Sequence, residues 1–169
     1  MPTTMKLVAK NVLGSDTASM TFSDLPSTYT DLYIVCSMRS DRATVWDDLR
    51  MRVNGATSDT NHSGRFVQGN GASASSGTLA YIGASINGNN STTNTFSNVE
   101  FYIPNYAGST AKSMSQTEVA ETNATTAYIS AFAFLWNSTA AITSLRFDST
   151  NAANFRSGSS ICIYGITKA

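Results

Sequence analysis

The sequence predicts an all-β protein, an antiparallel sandwich or barrel. Apolar residues alternate with polar ones in run after run, and helical spacing of apolar residues is nearly absent. Turns rich in Gly, Asn, Ser and Asp separate the runs. With 169 residues the chain is about one domain long and can bury a core without disulfide staples. No internal repeat or linker divides it, so residues 1–169 are expected to form a single domain with a short N-terminal arm at about residues 1–5.

Met5 to Val12 is the first expected strand. In Thr17 to Ser23, Ala18, Met20 and Phe22 alternate with polar neighbours; in Asp31 to Ser40, Leu32, Ile34, Cys36 and Met38 share one face. The intervening "SDLPSTYT" reads as a corner, because Pro26 fixes its own φ and biases Leu25 toward extended geometry. Asp24 and Ser27 are short polar side chains suited to such a turn, so Asp24 and Asp31 read as structural rather than as a working carboxylate pair. Leu49 to Asn54 sets Leu49, Met51 and Val53 against Arg50 and Arg52. Arg65 to Gln68 and Thr78 to Ile86 follow, and the polar stretches "GNGASASSG" and "NGNNSTTN" around the latter are expected to be exposed, mobile loops.

Thr95 to Ile103 and Lys112 to Glu121 come next. In Ala127 to Trp136 both sides are apolar: Tyr128, Phe132, Phe134 and Trp136 share one, and Ile129, Ala131, Ala133 and Leu135 the other. After Ala141 to Asp148, the last strand, Ser160 to Ile166, opposes Ile161 and Ile163 to Cys162, Tyr164 and Ile166. A sandwich strand normally has one wet face, and there are no helices to cover a second. The bulkier aromatic side should fill the core. Ile129, Ala131, Ala133 and Leu135 are then the expected oligomer interface, covered by another copy or another protein.

Charged residues are only 13% of the chain, while Ser, Thr and Asn make up roughly a third of it, so the surface is hydroxyl and amide. Eleven basic and eleven acidic residues cancel, leaving no net field for nucleic acid or an anionic membrane. The N-terminus has no apolar run of signal-peptide length, and "AYISAFAFLW" is too short to cross a bilayer, so a soluble protein made in a cytosol is expected. Cys36 and Cys162 have no CxxC spacing and read as free thiols packed like apolar residues.

Little points to catalysis. His62, in "TSDTNHSGR", is the single histidine, so a His-rich metal site is excluded and a triad would have to stand on a polar loop. Glu118 and Glu121, three apart on a strand, point to opposite faces, and Glu100 has no carboxylate near it in sequence. No enzyme activity, cofactor or metal is expected. "MRSDRATVWDDLRMR" gathers Arg39, Arg42, Arg50 and Arg52 with Asp41, Asp47 and Asp48 around Trp46. It reads as a charge-compensated solvated face, or as an interface rim anchored by Trp46 with Arg50 and Arg52 beside it. The sequons at Asn61, Asn90 and Asn137 are of the frequency this composition gives by chance.

Five stretches, "TFSDLPSTYTDLYIVCSMRS", "LRMRVNG", "FYIPNYAGSTAKS", "WNSTAAITSLRF" and "NFRSGSSICIYGI", together resemble a recurring small virion protein of tailed bacteriophages. The likeness runs in order from about Phe22 to Ile166, through the aromatic-x-x-aliphatic-Pro corner, the "Y-x-D-L" strand and the closing Leu/Ile-Tyr-Gly-Ile strand. It departs at Cys162, where an apolar residue is expected. The resemblance implies a jelly-roll-like β-sandwich on the particle, either a decoration (cement) protein of the head or part of a tail fibre or baseplate, and it carries over no catalytic residues.

The leading expectation is therefore a head decoration protein, not an enzyme, localised to the virion, and trimeric at local three-fold positions as the resemblance suggests. Its partners would be other copies and the major capsid protein or tail proteins, with no nucleic acid or membrane. The arm, with Thr3 and Thr4, would add along a neighbour's sheet edge. The alternative is a receptor- or carbohydrate-binding module of a tail appendage, using the Gly/Asn/Ser loops and Trp46 or Tyr81. A fibre subunit would be expected to carry a separate attachment segment. An envelope-degrading hydrolase is the weakest reading.

Overall fold

A computed structural model describes residues 4–122 and 127–167, so Thr3 lies outside the described residues. Twelve strands form two antiparallel sheets, with no helix among the described residues. They are β1 (Met5–Val12), β2 (Ser19–Phe22), β3 (Asp31–Met38), β4 (Trp46–Val53), β5 (His62–Gly69), β6 (Ala74–Leu79), β7 (Ile82–Asn87), β8 (Ser97–Ile103), β9 (Lys112–Ala120), β10 (Tyr128–Trp136), β11 (Leu145–Ser149) and β12 (Ser160–Ile166). The large sheet runs β1-β12-β3-β8-β9-β10-β5-β6 and the small one β2-β11-β4-β7.

The chain changes sheet at β1–β2, β2–β3, β3–β4, β4–β5, β6–β7, β7–β8, β10–β11 and β11–β12. This is jelly-roll connectivity, with the β9–β10 hairpin inserted between β8 and β5, and β12 and β1 added at one edge. One core lies between the sheets. Leu32, Ile34, Cys36, Val99, Phe101, Ile161 and Ile163 face it from the large sheet, and Met20, Leu49, Met51, Ile82, Ile86 and Phe147 from the small one. The aromatic side of β10, Phe132, Phe134 and Trp136, is buried there as well.

The corner after β2 is built as a corner and is tied down from two sides. Asp24 takes φ 56°, a left-handed conformation that Asp tolerates better than most residues. Leu25 is buried and its N–H donates to Thr143 O at 2.9 Å, while the Tyr106 hydroxyl donates to Pro26 O. Asp31 accepts from Tyr102 OH at 2.7 Å and from Asn105 N–H at 2.8 Å, so it pins the turn between β8 and β9. Tyr29, also from the corner, lays its ring on Gly165 of β12, where a Cβ would stand 2.3 Å from it. The glycine of "IYGI" is thus the floor for the tyrosine of "PSTYT".

Several expectations are corrected. Thr78 to Ile86 is not one strand: β6 ends at Leu79, β7 begins at Ile82, and the two lie in different sheets. Leu79 packs on the core from one sheet and Ile82 from the other, three residues on, so the inward positions change phase at the crossover. "GNGASASSG" is half strand, because β6 starts at Ala74 and pairs with β5. "NGNNSTTN" is pinned by Arg39, which is buried, not solvated: its guanidinium donates to the carbonyls of Asn89, Ser91, Thr92 and Thr95 at 2.8–3.1 Å. His62 opens β5 and is buried, whereas a polar loop was expected. Thr4 belongs to no free arm, since its carbonyl accepts from Thr167 N–H at 3.0 Å. Cys36 and Cys162 are free thiols; Cys36 faces the core and Cys162 the opposite side of the large sheet.

Candidate functional site

The large sheet's outer face follows directly from the pairing register. One row across it runs Leu7, Tyr164, Tyr33, Tyr102, Ser115, Ala133, Arg65. The next runs Lys10, Cys162, Val35, Glu100, Thr117, Ala131, Val67, and beyond it lie Val119, Ile129 and Gly69. Of the exposed large hydrophobic side chains among the described residues, Met5, Leu7, Val12, Val67, Tyr102, Val119 and Ile129 all stand on this face; the remaining one is Trp46. Its two central carboxylates are covered by phenols: Tyr33 OH donates to Glu100, and Tyr102 OH to Asp31. Glu100 holds the Tyr33 proton, raising its pKa to about 12.

All four interface residues expected on β10 stand on this face. Ile129 and Ala131 line a groove of about 570 Å³ with Val67, Val119, Asn98 and Glu100. Ala133 and Leu135 line a second hollow of about 260 Å³ with Arg65 and Ser113. Ile129, Ala131 and Ala133 are exposed and Leu135 is half-buried. Small side chains at Ala131 and Ala133 make the hollows, because their larger neighbours rise on both sides.

Trp46, Arg50 and Arg52 lie elsewhere, on the outer face of β4 in the small sheet. Arg50 and Arg52 do not present free charge. Their Nε atoms donate to the two oxygens of Asp148 at 2.8 and 2.9 Å, and Arg146 Nη2 lies 3.6 Å from the same carboxylate. Trp46 stands instead at the lip of a cleft of about 240 Å³ beside β7, the open edge of the small sheet. Trp46, Asp48, Tyr81 and Ser85 form one wall; Phe66, Gln68, Leu79 and Phe132, from the overhanging large sheet, form the other. The Trp46 ring is set by Tyr128 edge-on at 6.5 Å and by the Arg42 guanidinium 5.8 Å from its centroid.

In the cleft, the Tyr81 phenol is hydrogen-bonded to Asp48, and burial and this carboxylate keep its proton on well above the ordinary range. Burial also raises the Asp48 carboxyl, against the hydrogen bond from Asn151 Nδ2 at 3.3 Å. Gly83 lets the Tyr81 ring lie on β7, since a Cβ there would stand 2.5 Å from the ring. Gln68 begins a polar row into the sandwich, followed in register by Ser130 and Glu118. Glu118 is buried, its pKa is raised by desolvation, and it accepts from Ser85 N–H at 2.5 Å. Sequence reasoning read Glu118 only against Glu121; its partner, the unpaired edge of β7, comes from the other sheet.

Among the described residues no group of three or more His, Cys, Asp or Glu side chains could hold a metal ion, and no helix is long and apolar enough to cross a membrane. The arrangement offers binding surfaces: a broad neutral face and a small aromatic cleft with a carboxylate. Comparison with protein-family models, curated proteins and solved structures finds no match for this chain.

Proposed function

We propose that this protein is a structural component of a tailed-bacteriophage particle, a decoration protein that self-associates, as a trimer, and stabilises the head by binding the major capsid protein. The particle and the trimer rest on the sequence resemblance. The self-association rests on one observation: the exposed large hydrophobic side chains, Trp46 apart, gather on one sheet face. Surface rich in aliphatic groups and tyrosine, with few charges among them, suits an interface core, and its removal from water stabilises association by about 25 cal/mol per Å².

Sedimentation equilibrium tests this. The wild type should sediment as an oligomer. Ala131→Glu sets a second carboxylate in the row of Glu100, and Ala133→Arg sets a second guanidinium beside Arg65, its cross-strand neighbour. Each should shift the protein toward monomer with an unchanged β-type circular-dichroism spectrum, because neither side chain touches the core. A monomeric wild type, or variants that associate as before, overturns the proposal.

A further inference from the structure

We propose that the cleft beside β7 binds one ring of a neutral saccharide chain. This goes beyond the structural role, and it uses a different face of the molecule. A pyranose ring has two apolar C–H faces and an equator of hydroxyls, so it asks for aromatic surface on its faces and for acceptors and amides at its rim. The cleft supplies both: Trp46, Tyr81, Phe66 and Phe132 as rings, Asp48 and Gln68 as polar side chains. Asp48 accepts from hydroxyl donors, and the Gln68 amide both donates and accepts.

The size fits one ring and not a longer ligand: about 240 Å³ is below the roughly 300–1,000 Å³ of pockets that enclose a drug-sized molecule. The rest of the chain would continue outward past Trp46, which is exposed at the lip. Charge narrows the class further. A carboxylate in the wall disfavours anionic ligands. An organic cation would also be drawn to aromatic rings beside a carboxylate, but the Gln68 amide, which both donates and accepts, suits a hydroxylated ring and offers a cation nothing further.

Titration of the full chain with maltotriose, chitotriose, mannotriose and β-1,4-galactotriose, followed by proton–nitrogen correlation spectra, is the test. At least one of these should shift the Trp46 indole resonance and the backbone amides around Asp48 and Tyr81 saturably in the millimolar range. Trp46→Ala should abolish the response, and Asp48→Asn should weaken it about tenfold, the loss expected when a charged hydrogen-bond acceptor is replaced. Ala131→Glu should leave binding unchanged, which separates this site from the association face. No saturable shift with any of the four sugars overturns the proposal, as does a response to tetramethylammonium alone, which would make the cleft a cation cage.

Discussion

Single side chains in this protein do opposite work from what their type suggests. Arg39 and Lys112 are buried cations that hold backbone carbonyls: Lys112 Nζ donates to Gly108 O at 2.6 Å and Ala140 O at 2.5 Å, 5.5 Å from the Trp136 ring centroid. They fasten loops to the ends of the sandwich despite the loops' polar composition. His62 is the costly member of the set. Both its ring nitrogens are buried without a hydrogen-bond partner among the described residues, and the nearest carboxylate oxygen, on Asp59, is 3.9 Å away. Burial lowers its pKa below the ordinary 6.5, partly opposed by Asp59. The unfolded chain then binds the proton more readily, so stability is complete above about pH 6.5 and is lost as pH falls through the folded value. Urea midpoints at about pH 7.5 and about pH 5.5 should show this loss in the wild type and its absence in His62→Phe. Glu118 and Asp48, whose pKa values are raised, act in the reverse sense at lower pH, so the variant's midpoint should hold or rise on acidification. An equal loss in both proteins would show that His62 is not its source.

Among the elements, β7 and β12 show how the two sheets are locked. β7 is an edge strand, and an unpaired edge invites pairing with another chain. Here the overhanging large sheet covers it, and Glu118 of β9 takes the free amide of Ser85. At the other end of the sandwich, β12 is held against the proline corner by Tyr29 on Gly165. Gly165→Ala tests that contact. An alanine normally stabilises a strand relative to glycine, but this Cβ would drive into the Tyr29 ring and force the corner off its seat. The expected loss is about 1–3 kcal/mol in denaturant unfolding, partly recovered when Tyr29→Ala is added. A stabilised Gly165→Ala protein would mean the ring moves aside freely.

For the whole molecule the distribution of surface chemistry matters more than any residue. The small sheet carries Arg50, Arg52 and Arg146, closed on Asp148; the large sheet carries the exposed apolar side chains; the cleft lies between them at the β7 edge. A molecule so divided can bind copies of itself with one face and leave another accessible. If the decoration reading is right, heads lacking the protein should release DNA at a lower temperature than heads to which it has been added back, and Ala131→Glu protein should restore the higher temperature poorly. Equal release temperatures would remove the head-stabilising role and leave the saccharide cleft to be explained by another particle location.

The all-β class, most strand positions, the inward aromatic face of β10 and the structural nature of the Asp31 corner were legible because a two-residue period and turn chemistry are local properties. Ile129, Ala131, Ala133 and Leu135 could be grouped on one side of a strand for the same reason. Which strands share a sheet was not legible, and with it went the crossover hidden in Thr78 to Ile86, the cage around Arg39, the burial of His62 and the meeting of Trp46 and Tyr81 with Phe66 and Phe132. Each of those depends on contacts between residues far apart in the chain. The sequence by itself determined the period of most strands and so which side chains travel together; only the tertiary structure decided what those sides face, because pairing across sheets is fixed by long-range packing and leaves no local periodic trace.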